Sequence, residues 1–179
     1  MLDAALQAIE ESGPTGWSLR ELARRAGVSH TAPAHHFGDK TGLLTAVAAE
    51  GFELFATALT AAGDDFFEVG TAYVGFAVTH PAHFRVMFRP ELYRPDDPAV
   101  SPARERAGQI LAAGGRELSP GPGRDRTTTV AAWSMAHGFA SLYLDGALAD
   151  GAEIDPVAVA RDILGLTFGH LRPGATTPK

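Results

Sequence analysis

The chain has 179 residues, a formal net charge of −6, 45% apolar and 20% charged side chains, and no cysteine. That length buries a real core, as one domain or two closely packed ones, and the composition excludes pervasive disorder. The absence of cysteine excludes disulfides, thiolate zinc sites and cysteine nucleophiles, and fits a reducing compartment. No apolar run reaches the length of about 18 residues that suggests a membrane span, and no basic segment leads into an apolar core at the start. The expected location is therefore cytoplasmic, with no membrane partner.

Alternating β-branched runs are missing while Ala, Leu, Arg and Glu dominate, so the expected fold class is all-α with about nine helices. The spacing predicts an amphipathic helix over 1–11, with Leu2, Ala5, Leu6 and Ile9 facing inward and Ser12-Gly13-Pro14 ending it. Residues 18–40, SLRELARRAGVSHTAPAHHFGDK, then spell two short helices joined by a glycine turn. Leu19, Leu22, Ala23 and Ala26 form one apolar stripe, and Ser18 with Glu21 forms a capping box at the start of the first of these helices. Gly27 ends it, Val28 returns an apolar anchor to the core, and Ser29 caps a helix that begins near His30. This is the skeleton of a helix-turn-helix, and its leading edge places His30 and Thr31 at base-reading positions.

Asp39 caps a fourth helix that carries Leu43, Leu44, Val47, Phe52, Leu54 and Phe55 and runs to about Ala62-Gly63. A fifth spans 64–79, and Pro81 starts a shorter sixth with Phe84, Met87 and Phe88 on one side. Residues 93–102, with three prolines and two adjacent aspartates, read as a loop. A seventh helix covers 103–118 and stops at Ser119-Pro-Gly-Pro-Gly123. Two long apolar helices close the chain, over 125–148 and 155–171, with Gly151 near the first stop and Pro156 at the second start, before a frayed 172–179.

Charge gives this head little help toward DNA. Residues 1–50 carry Arg20, Arg24, Arg25 and Lys40 against Asp3, Glu10, Glu11, Glu21, Asp39 and Glu50. Arg20 and Arg24 stand one turn apart and Lys40 lies just past the reading helix, where phosphates flank the groove. Few such contacts predict modest affinity and a shallow salt slope.

The series SLRELARRAGVS, then HHF, an acidic N-cap, Lys40 and Gly42-Leu43-Leu44, resembles the DNA-binding domain of TetR-type transcriptional regulators over residues 2 to about 50. The resemblance implies a three-helix head, residues 1–45, followed by a larger helical domain, residues 46–179, that binds a small molecule and forms a homodimer through its last two helices. Ser18 and Lys40 then match the family's phosphate-contacting residues, His30 and Thr31 its base-reading positions, and His36-Phe37 its His-Phe pair. Trp133-Ser-Met-Ala-His137-Gly138 resembles a subgroup with a Trp, His, Gly signature, and HPAHFRVMF at 80–88 agrees with it. Two departures stand out. Pro33 and Ala34 replace the usual leucine and tyrosine of the recognition helix, which removes an aromatic hydroxyl contact and delays or bends the helix. The chain also begins inside the first helix, without the family's basic arm, which lowers the expected DNA affinity.

His30, His35 and His36 do not share one helical face, so no metal site is expected there, and no cofactor anywhere; DNA contact or packing accounts for them. Trp133 and His137 share a face one turn apart, either as packed core or dimer interface or as the lining of an effector pocket. With His83, Phe84 and Met87 they are the candidate pocket residues, because ligand sites between helices are apolar with a few polar groups. No phosphate loop, nucleophile elbow or HExxH signature suggests an enzyme. The expected DNA-binding set is Ser18, Arg20, Arg24, Ser29, His30, Thr31, His35, His36 and Lys40. The expected function is a dimeric repressor released from a pseudo-palindromic operator by a small apolar effector, with the fourth helix as lever. The alternative is a helical small-molecule binding protein whose DNA head no longer works.

Overall fold

The computed structural model describes residues 1–118, 121, 123–148 and 154–171. Among them the chain forms nine α-helices and no strand: α1 Leu2–Ser12, α2 Leu19–Arg25, α3 Ala32–Phe37, α4 Lys40–Ala61, α5 Phe66–Thr79, α6 Pro81–Met87, α7 Ser101–Glu117, α8 Asp125–Leu144 and α9 Pro156–Phe168. Short 3₁₀ turns follow α6 at Pro90–Leu92 and α9 at Gly169–Leu171. The expected stop at 119–123 lies mostly outside the described residues, and Gly151 and the 172–179 tail lie wholly outside them.

The described residues divide into two compact units, one of Met1–Leu54 with His80–Glu105, the other of Phe55–Thr79 with Arg106–Lys179. In the first, α1 packs on α2 and α6, and α2 on α3. Ala5, Ile9, Leu22, Leu43, Val47, Val86 and Met87 are buried there. Local chemistry sets the ends. Ser18 Oγ accepts the Glu21 N–H at 3.2 Å, and Asp39 Oδ1 accepts the Gly42 N–H at 2.6 Å. After α2 the Val28 N–H returns to the Ala23 carbonyl at 3.0 Å and the Gly27 N–H to that of Arg24 at 3.3 Å, a Schellman turn that requires the positive φ of +66° at Gly27.

Three details differ from expectation. Val28 is 41% exposed rather than a core anchor, because that turn swings it outward. Ser29 does not cap a helix: its hydroxyl bonds that of Thr31 at 3.0 Å, and α3 starts two residues later than His30, with Pro33 in its first turn where the missing N–H costs nothing. Pro102 likewise sits in the first turn of α7 rather than in a loop.

In the second unit α5 packs on α8 and α9, and α8 on α9. Phe66, Phe67, Leu118, Ala132, Leu164 and Phe168 form the core, with Phe66 edge-on to Phe168 at 5.6 Å between centroids. Gly70 permits the close α5–α9 approach, since a Cβ there would stand 2.5 Å from Leu164 Cδ1. Helix α8 ends at Leu144, short of 148, because Gly146 turns left-handed at φ +71° and the Ala147 N–H closes on the Leu142 carbonyl at 2.9 Å. Asp155 Oδ1 caps α9 through the N–H groups of Val157 and Ala158. Among the described helices only α4 is long and apolar enough to cross a membrane; 56% of its apolar stretch is already buried against protein, as in a core helix.

Candidate functional site

The helix-turn-helix presents an open groove lined by Ser18, Arg20, Glu21, Arg24, Val28, Ser29 and His30. Arg20, Arg24, Ser29, His30, Thr31, His35 and His36 are exposed, as is the Ser18 N-cap. The two neighbouring arginines divide the work. Arg25 is bound to Glu21 at 2.8 Å and also to Glu11, and these carboxylates raise its pKa above the ordinary guanidinium value. Two of the head's acids thereby share one cation outside the groove wall, which offsets one of their two charges. Arg20 and Arg24, on that wall, form no ion pair with any described residue. The acidic sum over 1–50 therefore does not describe this face.

Lys40 takes a position that spacing alone does not reveal. Its Nζ donates to the carbonyls of Trp17 at 2.7 Å and Thr15 at 3.1 Å and lies 4.0 Å over the Trp17 ring, tying the α1–α2 turn to the start of α4. Burial lowers its pKa from the ordinary lysine value. Arg94, which local pattern could not assign because its partner is 55 residues away, reaches the same start of α4 through Asp39 at 2.9 Å.

The five candidate pocket residues fall in different units. His83, Phe84 and Met87 are buried in the first, with His83 Nε2 3.1 Å from Glu50 Oε2. Trp133 and His137 belong to the second, where Trp133 joins Phe66, Val69, Gly70, Tyr73 and Leu164 around an apolar cleft. Its water-accessible space is about 30 Å³, the share of one water molecule and far below the several hundred Å³ of a typical ligand site. A second cleft of about 510 Å³, edged by Asp64, Arg106, Gln109 and Glu117, shares Val69 and Gly114 with the first.

Within the apolar cleft the Trp133 Nε1–H donates to the Tyr73 hydroxyl at 3.0 Å, and that hydroxyl lies 2.9 Å from His137 Nδ1. Burial pushes the Tyr73 phenol well above the ordinary range and the His137 imidazole below it. The pair is then a neutral tyrosine hydrogen-bonded to a neutral histidine. Below pH 6.5 the unfolded chain binds a proton that folded His137 resists, so this group's stabilising contribution is complete above 6.5 and is lost as pH falls through the lowered folded value. His137→Gln is expected to flatten the fall of the urea midpoint between pH 7 and about 5. An unchanged acid-side slope would remove His137 from that balance.

Two family profiles match the chain: "Bacterial regulatory proteins, tetR family" over residues 1–47 and "Tetracyclin repressor-like, C-terminal domain" over 66–165. The HTH-type transcriptional regulator BetI of Burkholderia thailandensis is 46% identical over 46 residues, which is 26% of this chain and 24% of that protein. A protein with unknown function from Rhodococcus sp. RHA1 shares 32% identity and superposes with a TM-score of 0.71 over 93% of this chain and 92% of its own. AibR, solved in complex with isovaleryl coenzyme A and operator DNA, superposes with a TM-score of 0.70 at 17% identity, over 93% of this chain and 95% of its own.

Proposed function

Because the chain belongs to the TetR family of bacterial regulatory proteins, we propose that it is a cytoplasmic, homodimeric repressor that leaves a two-fold operator when a small, largely apolar effector binds. The observation that carries this reading is the exposed groove along α2 and the turn that follows it, where Ser18, Arg20, Arg24, Ser29 and His30 meet with both groove arginines unpaired among the described residues. Residues 1–45 act as the DNA-binding domain and 46–179 as the effector and dimerisation domain. Arg20, Arg24, Ser18 and Lys40 contact phosphate, His30, Thr31 and Ser29 address bases, and His35 and His36 flank them.

One six-residue recognition helix reads too few bases alone. A two-fold pair reads half-sites about 34 to 36 Å apart, or a multiple of that. The second unit carries surface suited to pairing, with Val130, Trp133 and Leu142 exposed on α8 and Leu166 86% exposed on α9. These helices form the dimer face. The effector enters the apolar cleft by displacing its lining, since the present space holds about one water, and the Tyr73–His137 pair offers it hydrogen bonds. Effector and operator favour different spacings of the two heads, with α4 as lever, and an effector with equal affinity for both spacings would shift nothing. The chemistry is binding and release, with no turnover and no cofactor or metal.

The test is selection of a duplex from a random-sequence pool followed by gel retardation. A retarded two-fold sequence supports the reading; ligand binding without any retarded duplex supports a small-molecule binding protein with an inactive head. His30→Ala and Thr31→Ala are expected to change the preferred bases, by about 1–3 kcal/mol for each lost base contact. Unaltered preference in both variants would displace them from the reading edge.

A further inference from the structure

We infer that Arg94 is a positioning residue for the DNA-reading head, fixing the corner between the recognition helix and α4. The inference rests on the DNA-binding reading above. Arg94 Nη2 is shared between the two carboxylate oxygens of Asp39, at 3.0 and 2.9 Å. Its backbone N–H donates to Thr45 Oγ1 at 3.0 Å, and that buried hydroxyl donates to the Thr41 carbonyl at 2.7 Å. Arg94 thus holds the N-cap of α4 by its side chain and the second turn of α4 by its backbone.

The segment behind it is fixed as well. Tyr93 is buried and donates its hydroxyl to the Met87 carbonyl at 3.0 Å, and Val100 is fully buried. Asp39 is at once the N-cap of α4, through Gly42, and the second residue after α3 ends. Whatever holds Asp39 therefore sets the corner between the recognition helix and α4.

The test compares Arg94→Gln, Asp39→Asn and their combination. Asparagine still caps a helix, so Asp39→Asn removes the ion pair and keeps the cap. The probes are the duplex that the unaltered protein selects from a random pool and a scrambled duplex of equal length. Each single variant is expected to weaken the selected duplex about fivefold and the scrambled one by less than about twofold, with the double variant no worse than either single. Amide exchange at residues 38–45 is expected to rise in each. Tighter binding by Asp39→Asn, multiplicative effects, or equal losses on both duplexes would overturn the inference, because the two residues would then act as separate charges on phosphate. If the unaltered protein selects no duplex, the DNA-binding reading fails, and exchange at 38–45 alone decides Arg94: unchanged exchange overturns its positioning role.

Discussion

Tyr73→Ala is expected to cost about 3–5 kcal/mol of stability, the range for removing a buried aromatic ring. Tyr73 is fully buried and packs edge-on against Phe55, with centroids 5.0 Å apart and ring planes at 88°. Its hydroxyl accepts from Trp133 and faces His137 Nδ1. Tyr73→Phe separates the two contributions. It keeps the ring and leaves the half-buried His137 Nδ1 and the indole N–H without that hydroxyl, each worth about 1–3 kcal/mol if water cannot reach it. Because Trp133 is 41% exposed, water recovers part of that loss, so the expected cost of Tyr73→Phe is at the lower end, about 1 kcal/mol. Urea unfolding followed by Trp133 emission in a Trp17→Phe background measures both. A Tyr73→Phe protein as stable as its parent with unchanged emission would mean that the three groups do not act together.

The same three residues mark where sequence and structure part company. Signals confined to one helical turn survive intact: the Ser18 and Asp39 caps, the left-handed Gly27 and the Pro156 start each set an end as expected, because each acts on N–H or C=O groups within about four residues. The apolar periodicity that predicted α1 and α2 is the periodicity the core uses, with Ala5, Ile9, Leu22 and Ala23 all buried. Start and stop errors arise where two local signals compete. Ser29 had the chemistry of a cap, yet Thr31 took its hydroxyl, and Gly146 stopped α8 before Gly151 was reached. Long-range pairings carry no such mark. Arg94 with Asp39, Lys40 with Trp17 and Tyr73 with His137 join residues 23 to 64 apart, and nothing in either neighbourhood names the other. The candidate pocket met the same barrier, since an apolar histidine-bearing run such as 80–88 has one composition whether it lines a cleft or, as here, packs in the first unit's core.

Lys40→Met is expected to do two things at once, and measuring them together decides what this lysine is for. Methionine keeps the apolar stem over Trp17 but gives up the hydrogen bonds to Thr15 and Trp17 and the charge over the indole ring. Hydrogen bonds from a charged donor contribute about 1.5–3 kcal/mol each and an exposed cation–π contact about 0.5–1, against the desolvation that already lowers the lysine pKa, so the expected net loss is about 2 kcal/mol. An ammonium has three N–H groups, and the third is left for a phosphate at the N-terminal end of α4. Loss of that contact weakens binding evenly across sequences and lowers the slope of log affinity against log salt by about one. Chemical unfolding gives the first number and a salt titration of duplex binding the second. A reduced slope at full stability would mean that the carbonyl ties do not hold in solution. Lost stability with an unchanged slope would make Lys40 a structural clasp between the α1–α2 turn and α4, leaving Arg20, Arg24 and Ser18 as the phosphate contacts of this face.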